Sequence, residues 1–426
     1  MLSIGLDIGT TGICGVLIDS DSGSVIKTES RANNFFINTG KEYERIQDAQ
    51  KIYNAVEEIL GALFTKDAEC IGVTGQMHGI VYLDADGNLV SPLYTWQDMR
   101  ASLPYKEGTY SSVFGAPAGY GLATNFYNRI NGLIPQNACI ICTVHDYVAM
   151  RLCGNKKPLL HSSDAASLGG YDCEKRCFSA DEPLLPDSVD TSRVIGEYKG
   201  VPVCIAIGDN QASYIGSAKD GSALINIGTG SQVTVPAASY RNIRSLETRP
   251  LGGDEYILVG CAICGGRAFA MLENFFGSVC EMAGMKRENL YPFMDEMLKE
   301  DYETDLSFDT RFCGSRTYPD VKASVTNLTE NNFTAKDMAF ALLDGIAQEL
   351  YDFYAVTGNK AKYITGSGNG IRKNAALCRT LEKKFGCKLI IPAHREEAAY
   401  GAALIALKAA GKFDSIKQAQ SLIHYL

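Results

Sequence analysis

Tryptophan occurs once in the 426 residues, at position 96, and histidine only five times. His78, His145, His161, His394 and His424 fall at no spacing that groups them round a metal. Surplus basic charge is also missing. The formal net charge is -9, so the chain lacks the electrostatic footprint that grips a phosphate backbone, and no nucleic-acid partner is expected. Binding a nucleotide stays open, because that needs only local backbone donors and a metal. No apolar run reaches the roughly 18 residues a membrane helix requires. Met1-Leu2-Ser3-Ile4 leads straight into strand-like sequence, without a basic region and a long apolar stretch after it. A cytoplasmic protein with no membrane partner is expected. Two nucleotide signatures are absent as well: no G-x4-G-K-[ST] occurs, and no G-x-G-x-x-G with an acidic partner at ribose distance.

Cysteine, by contrast, is plentiful, with 14 in the chain. Cys139/Cys142 and Cys261/Cys264 have zinc-like spacing, and Cys173/Cys177 a wider one, but the first two pairs lie in strand-like sequence that points such side chains apart. Reduced thiols, most of them in the core, are the expectation. Hydrophobic residues at 46% and charged residues at 21% give an ordinary globular balance. The length predicts two or three domains.

Strand and helix signals alternate over residues 1–90. Ser3–Asp7 and Gly15–Asp19 read as strands joined by a glycine-threonine turn, followed by a strand at Ser24–Glu29. Asp48–Phe64 carries Ile52, Val56, Ile59, Leu60 and Leu63 on one helical stripe, and Cys70–Thr74 is a short buried strand. Residues 91–200 are less periodic and read as an insertion that carries specificity. Val201–Ile207 is a strand running into Gly208-Asp209-Asn210-Gln211. From Ser222 the opening pattern returns: strand Ala223–Ile227, a glycine-threonine turn, strand Gln232–Val235 and a further strand at Tyr256–Cys261. Asp337–Thr357 and Lys373–Phe385 read as helices, Tyr363–Thr365 as a strand into the loop 366–370, and Glu396–Ala410 as a helix of small residues. Two halves that begin alike imply a duplicated α/β unit with a cleft between, divided near residue 215.

Each half opens on a hairpin suited to phosphate. In GLDIGTTG, glycines let the backbone approach a ligand closely, successive N–H groups form an anion nest, and the Thr10 and Thr11 hydroxyls add donors. Asp7 at the strand end can hold Mg2+ through water. INIGTGS, with Gly228, Thr229 and Gly230, repeats the design. Either alone reads equally as an ordinary turn; as a pair they can grip a polyphosphate from both sides. Phosphoryl transfer also needs a group to take the acceptor's proton. Asp209, after a buried strand and between the halves, fits that role, and it fits a helix N-cap too. Gly75-Gln76-Met77-His78-Gly79 and Tyr94-Thr95-Trp96-Gln97-Asp98-Met99-Arg100 offer an aromatic face with hydrogen-bonding groups, which suits a sugar, although a lone Trp or His also serves as plain packing.

Taken in order, GLDIGTTG, GQMHG, TWQDMR, GDNQ, INIGTGS, GSGNG and EEAAYGAAL resemble the carbohydrate kinases named for their FGGY signature, within the actin-like ATPase superfamily, from Ile4 to about Leu407. The resemblance implies an α/β fold of two ribonuclease-H-like domains, 1–215 and 216–426, with ATP, Mg2+ and a sugar in the cleft. Under it Asp7 corresponds to the metal-phosphate aspartate, and Thr10 and Thr11 to the first phosphate loop. Gly228, Thr229 and Gly230 correspond to the second, Gly265 and Gly266 to a nucleotide-contacting pair, and Gly366, Ser367 and Gly368 to the adenosine loop. Asp209 corresponds to the catalytic base. Gln76, Met77, His78, Trp96, Asp98 and Tyr120 correspond to sugar contacts, with Asp209 among them. The acceptor implied is a primary hydroxyl of a ketose, sedoheptulose before xylulose, because GQMHG departs from the Arg-Glu-bearing segment of glycerol kinases. The adenosine loop reads TGSGNG where a triple glycine is commoner. Monomer and homodimer both stay open. An actin-like chaperone or filament ATPase would share the cleft but leave GQMHG and TWQDMR unexplained.

Overall fold

The computed structural model describes residues 1–426 except 180, 220 and 317. Strands β1 (Leu2–Ile8), β2 (Gly12–Asp19) and β3 (Val25–Ala32) form an antiparallel meander, and helix α1 (Ala49–Leu63) returns the chain to β4 (Ala68–Gly75), parallel to β1. Asp48 caps α1, its carboxylate accepting from the Lys51 N–H at 3.0 Å. The stretch expected to be irregular is in part helical, with α2 (Gly121–Ile130), α3 (Val144–Leu152) and α4 (Ser162–Ser167). Strands β5 (Val194–Tyr198), β6 (Val201–Cys204) and β7 (Ile207–Gly208) follow, so the single strand expected at 201–207 is broken in two, both pieces pairing with β4. The first sheet runs β5-β6-β4-β1-β2-β3, with β7 also on β4.

Helix α5 (Asp209–Ser217) leads to the second sheet. Its strands are β8 (Ala223–Ile227), β9 (Ser231–Ala237), β10 (Glu247–Gly252) and β11 (Glu255–Ala262). Then come α6 (Gly266–Met282), α7 (Ala335–Ala355), β12 (Tyr363–Ser367), α8 (Asn369–Lys373), α9 (Ala375–Phe385), β13 (Lys388–Ile390) and α10 (Glu397–Ala409). The order is β10-β11-β9-β8-β12-β13. Strands β11-β9-β8-β12-β13 repeat β3-β2-β1-β4-β6 in both order and sense, so the repeated opening reflects a repeated sheet. Asn374 separates α8 from α9 by capping the latter, accepting from the Leu377 N–H at 2.8 Å; α9 is the helix expected at 373–385, and α8 begins inside the loop expected at 366–370.

Strand β1 is almost continuously buried because both of its faces are covered. Gly15, level with Leu6, faces Ile59 and Leu63 of α1, whereas Gly5 on the opposite face meets the Ala399 carbonyl of α10. Helix α10, near the C-terminus, therefore packs on the first sheet and on α5. One core lies under the first sheet and one under the second, and a third, including Val16, Ile207, Ile215, Val259 and Leu404, joins the two halves.

Candidate active site

Register sets the centre of the site. In the first sheet Ile8 lies level with Gly75, and Gly75 with Gly208, so Asp7, Gln76 and Asp209 emerge at the carboxyl ends of three neighbouring parallel strands. That edge is where α/β sheets place ligands. The Asp7 Oδ1 atom is shut away from solvent without a hydrogen-bond partner. Burial pushes the Asp7 carboxyl up to about 8, and the carboxylates of Asp209 and Glu396 add to the shift. A buried carboxylate oxygen without a donor, in the field of two further acids, fits a divalent cation, which would supply the missing positive charge. Glu396 belongs to EEAAYGAAL, but reading that segment as a helix gave no hint that its charge bears on Asp7.

Burial also raises the Asp209 carboxyl, and the Asn210 amide, His145 and Arg249 pull against that. Asn210 Nδ2 donates to Asp209 Oδ1 at 2.8 Å, Gln232 Nε2 of β9 donates to Asn210 Oδ1 at 2.9 Å, and Gln211 Nε2 donates to the Pro250 carbonyl of β10 at 2.9 Å. GDNQ thus links the two sheets directly. Asp209 is not the N-cap that the sequence also allowed: it is the first residue of α5, and Gly208 occupies the N-cap. Behind it the Gly208 N–H donates to Ser163 Oγ at 3.1 Å, beside the buried trio His145, Asp146 and Asp164.

The β1–β2 hairpin carries a chain of hydrogen bonds. Trp96 Nε1 donates to Thr10 Oγ1 at 2.8 Å, Thr10 Oγ1 donates to Gln76 Oε1 at 3.2 Å, and Gln76 Nε2 donates to Gln47 Oε1 at 3.1 Å. Trp96 remains 43% exposed, whereas Gln76 is buried and spends its amide inside this chain. Thr11 is exposed at the hairpin tip. Asp98 is not brought to the site. Its carboxylate is buried against Arg100, taking Nε at 2.7 Å and Nη2 at 3.0 Å, and it accepts from the Arg45 N–H at 3.0 Å.

The second hairpin exposes Gly228 and Thr229 at its tip. Gly265 and Gly266 begin α6 directly against it: the Gly265 N–H donates to the Thr229 carbonyl at 3.0 Å and the Gly266 N–H to the Gly228 carbonyl at 2.8 Å. These glycine amides are committed to shaping the hairpin. Ser367 lies level with Asn226 and accepts from its side-chain amide at 2.9 Å, so the loop 366–368 rides on the same hairpin strand. Gly368 has φ of 85°, and a Cβ there would fall 2.5 Å from the Ile227 carbonyl, which leaves glycine as the fitting residue.

A cavity of about 210 Å3 is lined by Met77, His78 and Tyr120 together with Ser163, Ser167 and Arg249. The His78 ring stacks on Tyr120 with centroids 4.1 Å apart. His78 has φ of 73°, an uncommon conformation for a residue with a side chain, and its Nδ1 lies 2.8 Å from the Ser167 carbonyl. A carbonyl only accepts, so Nδ1 carries the proton and Nε2 is left as an acceptor. Burial, with the Arg249 cation next, pushes the His78 imidazole down to about 4. Arg249 and its partner Glu247 come from β10 of the second sheet, and both escaped sequence reasoning because they lie in a strand outside every motif.

All fourteen cysteines are free. Cys264, next to Gly265, lies with its Sγ 3.4 Å from that of Cys313. No helix of the described residues is long and apolar enough to cross a membrane.

Comparison with known proteins agrees with this layout. The N-terminal domain model of the FGGY family of carbohydrate kinases matches residues 2–107, and the C-terminal domain model matches residues 223–410. Sedoheptulokinase of Homo sapiens is 27% identical, with 96% of this chain and 97% of the human protein covered. A xylulose kinase of Lactococcus lactis is 24% identical, with 99% of this chain and 91% of that protein covered. The fold matches that of a ligand-bound xylulose kinase from Lactobacillus acidophilus, with a TM-score of 0.84 at 19% identity over 100% of this chain and 92% of that one. With both family domains found in order, one on each sheet, the chain belongs to the FGGY family of carbohydrate kinases and is an ATP-dependent sugar kinase of the two-domain actin-like fold.

Proposed function

We propose that the protein transfers the γ-phosphate of ATP to a primary hydroxyl of a ketose, sedoheptulose in first place and xylulose in second, in the cytoplasm. The observation that carries the reading is the alignment of Asp7, Gln76 and Asp209 on three adjacent strand ends beside the His78–Tyr120 cavity. Sedoheptulose is favoured by the end-to-end similarity to the human and mouse sedoheptulokinases, at 27% and 28% identity.

In this reading Asp209 takes the proton of the acceptor hydroxyl, and Met77, His78, Trp96 and Tyr120 hold the sugar. Thr10, Thr11, Gly228, Thr229 and Gly230 position the phosphates. Gly366, Ser367 and Gly368 bear on the adenosine, and Gly265 and Gly266 support the second hairpin. Asp7 would hold the divalent ion, assigned as Mg2+, which offsets charge on the phosphates when bound. Gln76 serves by fixing Thr10, and Asp98 by fixing the Trp96 loop. The division at residue 215 is part of the same proposal, with α10 returning to the first half. Closure of the halves would exclude water and so suppress ATP hydrolysis.

Coupled ATPase assays over sedoheptulose, xylulose, ribulose, fructose and glycerol test the acceptor. Strongest stimulation by sedoheptulose is expected; stimulation by none of them removes the proposal. Asp209→Asn keeps the contact with Asn210, so ATP binding is expected to persist while turnover falls by about two to four orders of magnitude. Near-normal turnover in that variant excludes Asp209 as the base.

A further inference from the structure

The cavity that holds Met77, His78 and Tyr120 is closed from the second half by one cation. Arg249 lies within β10, is only 7% exposed, and lines that cavity. Its Nε donates to Glu247 Oε2 at 3.1 Å and its Nη2 to the same oxygen at 2.5 Å, so two N–H groups share one acceptor. Its Nη1 meets the Met77 thioether at 4.0 Å. Sulfur of this kind is a weak acceptor, and a guanidinium has five N–H groups to satisfy. A cation taken out of water normally recovers its lost hydration through good acceptors. Here the contact on the cavity side is a thioether, which leaves donor capacity facing the space.

Glu247 does not neutralise Arg249 alone, because its other oxygen is taken by Arg316, so two cations share a single carboxylate. The cavity therefore presents the Arg249 guanidinium on the β10 side and a neutral acceptor, His78 Nε2, on the other. A carbohydrate satisfies both walls at once: a ring or carbonyl oxygen accepts from Arg249, and a hydroxyl donates to His78. An amino sugar that placed its ammonium at Arg249 would be repelled.

We propose that Arg249 is a specificity-determining residue that donates from Nη1 to an oxygen of the acceptor sugar. The sugar then bridges β10 of the second sheet and the Met77–His78 turn of the first. This rests on reading the His78–Tyr120 cavity as the acceptor site, and it adds that the acceptor is a ligand holding the two halves together.

The test compares wild type with Arg249→Met, Arg249→Lys and the charge-balanced double variant Glu247→Gln/Arg249→Met, which guards against misfolding round a Glu247 that has lost one of its two partners. Acceptor KM and kcat come from the coupled assay with the best sugar of the panel, and affinity for a non-hydrolysable ATP analogue comes from calorimetry. In Arg249→Met and in the double variant the acceptor KM is expected to rise about 10- to 100-fold, the range set by losing one charge-assisted hydrogen bond, with affinity for the ATP analogue unchanged. Arg249→Lys, which keeps the charge without the fork, is expected to recover part of the loss. An unchanged acceptor KM in both Met variants overturns the assignment, as does a parallel loss of sugar and nucleotide affinity, which marks a merely structural role. A wild type that binds the ATP analogue but responds to no sugar removes the acceptor site itself, and the assignment with it.

Discussion

Trp96 ends its indole N–H on Thr10, in the tip of the first hairpin, and still leaves 43% of its surface exposed. As the one tryptophan in the chain, it is a built-in reporter on the contact between the TWQDMR loop and the first hairpin. Filling the cleft is expected to change its emission with either ligand, and Thr10→Val, which removes the hydroxyl acceptor, is expected to weaken that response. A titration with an ATP analogue that leaves Trp96 emission flat places the ring away from the nucleotide path. The same network shows what was legible at this scale. Asp7, Thr10, His78 and Asp209 could be picked out because turn chemistry and strand ends mark them locally. Gln76 and Asp98 carried the right chemical groups, but their partners, Gln47 with Thr10 and Arg100 with Arg45, are settled by folding. A motif gives a residue its type, while burial decides whether its polar atoms face a ligand or the protein.

Helix α10 crosses α5 with almost no space between the backbones. A Cβ at Gly401 would fall 1.8 Å from the Ala212 carbonyl, and one at Gly216 would fall 2.0 Å from the Glu397 carbonyl. Because α5 begins at Asp209 and Glu396 immediately precedes α10, this crossing sets how Asp209 stands relative to the first sheet. Gly401→Val is expected to destabilise the fold by roughly 2–5 kcal/mol, since two backbones rather than flexible side chains must give way. Thermal unfolding measures it, and a melting temperature equal to wild type would mean that the helices separate freely. The small residues of α10 were visible in the sequence, and so was its helical form, but not its return to the first sheet, which is a non-local pairing. Helix α6 was missed for a different reason. Met271, Phe275, Val279 and Met282 are exposed while Ala268 and Leu272 are buried, so apolar residues occur on more than one face and blur the period.

For the whole molecule, two sets of buried groups set opposite pH trends. His78, His161 and His394 are each pushed down to about 4 by burial, so the unfolded chain binds more protons than the native one between about pH 4 and 6.5. Their contribution to stability is present above that window and is lost as pH falls through it. Asp7, raised to about 8, works the other way: the native state holds its proton longer, and that contribution is lost as pH rises from about 4 through 8. A divalent cation at Asp7 competes with this proton, because a carboxylate must be ionised to bind it. The stabilisation by added Mg2+ should therefore be small at pH 5.5, where the proton holds the site, and larger at pH 8, where the carboxyl is already about half ionised. Melting temperatures measured with and without Mg2+ at the two pH values test this, with Asp7→Asn as the control expected to lose the Mg2+ shift. Equal shifts at both pH values, or an undiminished shift in Asp7→Asn, would locate the ion elsewhere. A larger shift at pH 8 that disappears in the variant ties the metal to Asp7, whose buried Oδ1 the folded chain leaves without a partner.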